Sequence, residues 1–193
     1  MKLTLVRHAE VDERYQNCYN GHNDIGLSKK GYLQAKELAK ELDALEFDAV
    51  FCSDLLRAKE TLKYSLYPKS TSSLSLTAHV KDVIYTDRLR EKSWGRHEGM
   101  SFDEIIAKEK IEYIDFLQWI EALDGEPYEE YIKRVKKFFL EFLPSLKKEN
   151  ILVVTHAGVI RVLLSIINGI TLQEAFSIKV AHALQINIEF KAE

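Results

Sequence analysis

Three short stretches of this 193-residue chain place guanidinium or imidazole groups directly after apolar runs. In the first, Leu3-Thr4-Leu5-Val6 leads into Arg7-His8-Ala9-Glu10. In the second, Phe51-Cys52-Ser53-Asp54 is soon followed by Arg57, and in the third Ile151 to Thr155 leads into His156-Ala157-Gly158. An apolar run with β-branched members reads as a buried strand. Open α/β sheets hold their ligands at the carboxyl ends of such strands. Guanidinium forks grip anions in two places at once, and an imidazole serves as nucleophile or proton carrier. Arg7, His8, Arg57 and His156 on one rim would form a dry cationic pocket suited to a phosphate. Each has a plainer reading alone, because a histidine after a strand is usually structural and an arginine at a helix start usually solvated. The argument rests on their recurrence at equivalent places.

The elements that must position them follow from periodicity. Residues 28–45 predict an amphipathic helix with Ser28 as N-cap, burying Ala35, Leu38, Ala39, Leu42 and Leu45 and turning Lys29, Lys30, Lys36 and Lys40 outward. A second strand runs from Asp48 to Cys52, and Ser53 is expected to cap the helix of Arg57, aiming its N-terminus at the pocket. The serine-rich residues 66–79 read as a loop, with His79 structural or exposed, and a short strand is expected near Val80 to Tyr85. Phe102 to Leu123 has a helical period, with Ile105, Ile106, Ile114, Leu117, Ile120 and Leu123 as core and Trp94 and Trp119 as packing. Pro127 opens a helix that buries Tyr131, Val135, Phe138, Phe139 and Phe142 and ends near Pro144. Its run Lys133, Arg134, Lys136, Lys137 reads as a solvated face. Val159 to Ile167 predicts a buried helix stopped by Asn168-Gly169, and Ala183 to Phe190 a last strand, with His182 before it assigned to structure. The expected fold is α/β: a three-layer α/β/α sandwich with a mostly parallel central sheet. Residues 1–193 are expected to form a single domain, with about 86–126 as a helical cap insertion carrying Glu91.

Composition fits without leading there. A hydrophobic share of 46% supports a packed globule, and a net charge of −3 argues against nucleic acid as a partner. No apolar run reaches membrane-spanning length, so no membrane partner is expected and a cytoplasmic location is. Cys18 and Cys52 form neither a metal-like spacing nor a disulfide framework.

At these residues the chain resembles the histidine phosphatase superfamily, also called phosphoglycerate mutase-like. The family's strand ending in Arg-His-Gly is here Arg7-His8-Ala9, and its phosphate-side glycine, thirteen residues after the histidine, is Gly21. Its Asp-x-x-Leu-Ser/Thr-x-x-Gly-x-x-Gln-Ala block runs from Asp24 through Leu27-Ser28 and Gly31 to Gln34-Ala35, and its Ser-x-Leu-x-Arg-Ala-x-x-Thr block from Ser53 to Thr61. Leu89-Arg90-Glu91, Trp94-Gly95 and Glu98-Gly99 follow, and Val154 to Arg161 completes the series in order. Two positions depart from the pattern. Arg14 stands where many members carry an asparagine, and Cys18 where a cation is frequent. Arg14 either supplies the missing charge or faces solvent. The loop Cys18-Tyr19-Asn20-Gly21 is similar to those of bacterial α-ribazole phosphatases.

The resemblance implies a metal-independent phosphatase acting on a small-molecule phosphomonoester, α-ribazole 5′-phosphate among the candidates, with no cofactor. It implies His8 as the nucleophile that becomes phosphohistidine, Arg7 and Arg57 as chelators of the phosphate, and His156 as a donor to a phosphoryl oxygen. Glu91 would protonate the leaving alkoxide and then activate water. The phosphate-binding set it suggests is Arg7, Arg14, Asn20, Gly21, Arg57, His156 and Ala157, Asn20-Gly21 by exposing backbone N–H groups to an anion. A mutase that returns the phosphoryl group to substrate, and a catalytically silent phosphate-binding module, are the alternatives. The length favours a phosphatase, since mutases of the family generally run longer. Oligomeric state stays open between monomer and homodimer.

Overall fold

A computed structural model of the chain describes residues 1–65, 82–112 and 115–190. Its strands are β1 (Lys2–Arg7), β2 (Ala49–Ser53), β3 (Val83–Thr86), β4 (Asn150–Thr155) and β5 (Gln185–Glu189). They form one sheet in the order β3-β2-β4-β1-β5. β1 with β4, β4 with β2 and β2 with β3 are parallel, and only β5 on β1 is antiparallel. Parallel neighbours need long crossovers. The helices in chain order are α1 (Lys29–Leu42), α2 (Leu56–Leu62), α3 (Phe102–Glu109), α4 (Phe116–Ala122) and α5 (Tyr128–Lys136). A π-helical stretch, Lys137–Phe142, continues α5 into the short α6 (Leu143–Ser145), and α7 (Ala157–Asn168) and α8 (Leu172–Ser177) complete the set.

Successive strand residues point to opposite faces, and here both faces are buried. Leu3, Leu5, Phe51, Ile151 and Val153 pack beneath Tyr131 and Val135 of α5, Phe138 and Phe139 beyond it, and Val159, Ile160, Val162 and Leu163 of α7. Val6, Val50, Cys52, Leu152 and Val154 pack on the other side beneath Leu38 and Leu42 of α1 and Ala58 and Leu62 of α2. Doubly covered strands read as continuous apolar runs. The result is the three-layer α/β architecture with a mostly parallel sheet.

Several local expectations need correction. α1 ends at Leu42, so Leu45 lies beyond it and is 44% exposed. The helical period from Phe102 to Leu123 is divided between α3 and α4: Lys110 turns left-handed at φ 54°, and Asp115 caps a fresh start by accepting from Gln118 N–H at 2.9 Å. Leu117 is exposed, while Ile105, Trp119, Ile120 and Leu123 form a separate apolar cluster with Tyr19 and Trp94 against it. Ser53 does not cap α2; Leu55 precedes that helix without a side-chain cap, and Leu56 N–H donates to Asp24 Oδ1 at 2.6 Å. Asp24 therefore occupies the Leu56 amide at the N-terminus of α2. The predicted loop 66–79, His79, Val80 and Ile114 lie outside the described residues.

Candidate active site

β1 and β4 run in register, Arg7 beside Thr155, so both stop at the same level of the sheet. His8 N–H donates to Thr155 O at 2.9 Å, and the His8 and His156 rings follow side by side with centroids 5.1 Å apart. His8 Nδ1 lies 2.8 Å from Ala9 O. A carbonyl only accepts, so Nδ1 carries the proton and Nε2 keeps its lone pair. Burial first, then the charges of Arg57 and Arg7, holds the His8 pKa well below its ordinary 6.5. The imidazole is therefore neutral at physiological pH.

Arg7 is fixed on two sides. Its Nη1 donates to Val180 O at 2.5 Å and its Nη2 to His182 Nε2 at 2.8 Å, while Nε is buried with no hydrogen-bond partner. Burial lowers the Arg7 pKa to about 10, opposed by the nearby Glu91 carboxylate. His182 is lowered to about 4 by burial and then by Arg7, which matches its role as acceptor. Its ring centroid is 5.7 Å from that of His8.

Arg57 and His156 stand behind this pair. Arg57 is 1% exposed; its Nη1 donates to Asn23 O at 2.8 Å and its Nη2 to Asn20 O at 3.3 Å and Gly21 O at 2.6 Å. Its Nε donates to His156 Nδ1 at 3.3 Å, so the His156 proton sits on Nε2, which donates to Ser53 Oγ at 2.8 Å. Burial, reinforced by Arg57, keeps the His156 pKa well below 6.5. Neither residue lines the cavity described below. In this structure the groups through which Arg57 and His156 were expected to meet a phosphate are bonded to the loop 20–23 and to Ser53.

Glu91 follows the 3₁₀ turn Asp87–Leu89 on irregular backbone. Its Oε1 accepts from Tyr131 OH at 2.6 Å and from Lys92 N–H at 3.0 Å, and its Oε2 from Gly158 N–H in the first turn of α7 at 2.8 Å. A Cβ at position 158 would fall 2.2 Å from Glu91 Oε1, so only glycine leaves the carboxylate its place. Burial, with Glu91 next, pushes the Tyr131 phenol well above its ordinary range, keeping it a donor.

Arg7, His8, Glu91 and His182 face a cavity of about 680 Å³. Arg7, His8, Glu91, Ala157, Gly158 and His182 line its floor, and Trp94, Phe116, Trp119, Ile120, Tyr128 and Phe176 its far wall, with Arg161 between. The Arg161 guanidinium lies 5.5 Å from the Phe176 ring centroid and its Nε donates to Ile178 O at 3.1 Å.

The remaining predicted groups are placed differently. Arg14 is outside the cavity, its side chain 79% exposed and paired with Asp12 at 3.0 Å. Asn20 lines the cavity, but its amide donates to Tyr15 O and Cys18 O and its Oδ1 accepts from Asn23. The Gly21 N–H is not open to an anion, because Glu98 Oε2 accepts it at 2.7 Å; Glu98 Oε1 accepts from His22 N–H at 2.7 Å and Trp94 N–H at 2.9 Å. Sequence reasoning set aside His182, which reaches the floor from the loop between α8 and β5, and passed over Arg161. Arg134, read as solvated, is part-buried and bonded to the Glu91 segment. Its place one turn after Tyr131 on the buried face of α5 was the available signal.

The sequence profile of the histidine phosphatase superfamily, branch 1, matches residues 3–193. The chain is 30% identical to a Hydrogenobacter thermophilus protein named as a phosphoserine phosphatase, over 100% of this chain and 91% of that one. It is 26% identical to the 2,3-bisphosphoglycerate-dependent phosphoglycerate mutase of Bartonella henselae, over 99% of this chain and 93% of that one. The crystal structure of the α-ribazole phosphatase from Shigella flexneri superposes with a TM-score of 0.82 at 26% identity, covering 99% of this chain and 91% of that one.

Proposed function

The chain belongs to the histidine phosphatase superfamily, and on that premise we propose that it hydrolyses a small-molecule phosphomonoester through a phosphohistidine on His8. The observation that carries this reading is the His8 tautomer: Nδ1–H tied to Ala9 O leaves the Nε2 lone pair as the nucleophile. A phosphomonoester dianion repels nucleophiles unless its charge is balanced and its phosphorus held in line. Arg7 lines the cavity next to His8, and its guanidinium binds the phosphoryl oxygens. Arg57 and His156 act from behind, Arg57 by its charge on His8 and by holding the loop 20–23. Glu91, steadied by three donors and carrying a proton taken up with the substrate, passes it to the leaving oxygen as the P–O bond breaks and His8 Nε2 bonds to phosphorus. It then takes a proton from the water that attacks phosphorus and frees His8. No step of this scheme asks for a metal. The aromatic wall supports a leaving group with a flat ring, and α-ribazole 5′-phosphate has one.

Rapid acid quench after mixing with ³²P-labelled substrate tests the nucleophile. Acid-labile label on the wild-type protein and none on His8→Ala is the expected result; label retained by His8→Ala overturns it. Mutase action is the second reading, favoured by the Bartonella relative. That protein is matched over 93% of its length, which removes chain length as an argument against it. Release of phosphate to water, against its return to a phosphoglycerate, separates the two, and a screen of α-ribazole 5′-phosphate, phosphoserine and 3-phosphoglycerate ranks the substrates.

A further inference from the structure

We propose that Arg134 is a positioning residue for Glu91, and that α5 holds the acid by its backbone and its carboxylate together. The inference rests on the acid role assigned to Glu91 above. Residues 90–94 belong to no strand or helix, so their peptide groups need partners from elsewhere. Arg134 supplies two of them and one in the preceding 3₁₀ turn: its Nη1 donates to Arg90 O at 2.8 Å and to Arg88 O at 3.0 Å, and its Nη2 to Glu91 O at 3.3 Å. The other edge of the guanidinium meets Glu126 in two bonds, Nε to Oε1 at 2.9 Å and Nη2 to Oε2 at 2.7 Å. The pair is largely shielded, with side-chain exposures of 20% and 18%, and Glu126 balances the charge.

Three residues earlier on the same face, Tyr131 donates to the Glu91 carboxylate at 2.6 Å, and its ring lies 5.1 Å from the Arg134 guanidinium carbon. His22 adds a second donor to Glu91 O, its Nε2 at 3.1 Å. One helix face therefore fixes both ends of the acid residue. Arg134 itself does not line the cavity, so its effect on the reaction passes through Glu91. A neutral side chain such as methionine keeps the stem but none of the five bonds, and the Glu91 segment loses its register. A misplacement of about 1 Å in a catalytic group costs on the order of 10²-fold in rate.

The test compares an alkyl phosphate with p-nitrophenyl phosphate in single-turnover phosphorylation of wild type, Glu91→Gln, Arg134→Met and the charge-neutral pair Glu126→Gln/Arg134→Gln. The aryl oxygen leaves with little help from an acid. Arg134→Met is expected to slow the alkyl ester by about 10- to 100-fold and the aryl ester by less than about threefold, with KM unchanged. If Arg134→Met does not fold, as judged by circular dichroism, the neutral pair carries the same comparison. Equal losses on both esters, a rise in KM alone, or wild-type rates in the folded variant overturn the proposal. A Glu91→Gln protein without the alkyl-selective loss overturns the acid assignment instead, so the two failures are distinct.

Discussion

The floor and the far wall of the cavity are built on different principles. On the floor, each group is held by directional bonds to backbone: His8 by Ala9 O, Arg7 by Val180 O, Glu91 by Gly158 N–H. A hydrogen bond fixes an atom's position and the proton it carries. On the far wall, residues from short helices and irregular segments hold one another mainly by ring packing, as Phe116 does Phe176 at 4.8 Å and Tyr19 does Trp94 at 5.1 Å, supplemented by a bond from Trp119 Nε1–H to Tyr19 OH at 2.6 Å. Packing fixes a shape, and cores re-pack when volume is conserved. On the proposed function, the difference makes the reaction and the choice of leaving group properties of separable parts.

Substitutions on each side sharpen or break that separation. The largest of the three expected effects is on the floor. Arg7→Ala removes a charge-assisted contact to phosphate and is expected to lower kcat/KM by roughly 10²-fold for every ester. It also removes one of the positive charges holding the His8 pKa down, so that pKa rises toward 6.5 and the acid limb of the kcat/KM profile moves to higher pH. An unmoved limb in a rate–pH series would deny the floor its electrostatic unity. Phe176→Leu is the intermediate case. It is expected to raise KM for α-ribazole 5′-phosphate by about 3- to 10-fold and leave phosphoserine within about twofold. Equal changes for both substrates would break the comparison. Arg14→Ala belongs to neither side and should leave KM and vanadate inhibition within about twofold, because an exposed pair contributes little. A larger change in steady-state assays would return Arg14 to the site.

Legibility in the sequence divides along the same line. The layers and the floor positions Arg7, His8 and Glu91 could be read because strand ends and local motifs announce them. His182 could not, since it arrives from a loop with no periodic pattern and reaches Arg7 across 175 residues. The backbone at Gly21 looked available for an anion because turn chemistry is local, whereas its acceptor, Glu98, lies 77 residues away. Arg134 was hidden by three lysines around it, which are the stronger cue to a solvated face.

The Glu98 carboxylate has a further consequence for how the molecule is assembled. It ties Gly21 and His22 to Trp94 through one side chain, so two loops distant in sequence share a single anchor. Loss of that one carboxylate releases all three donors at once, so these amides are expected to open to exchange together rather than one at a time.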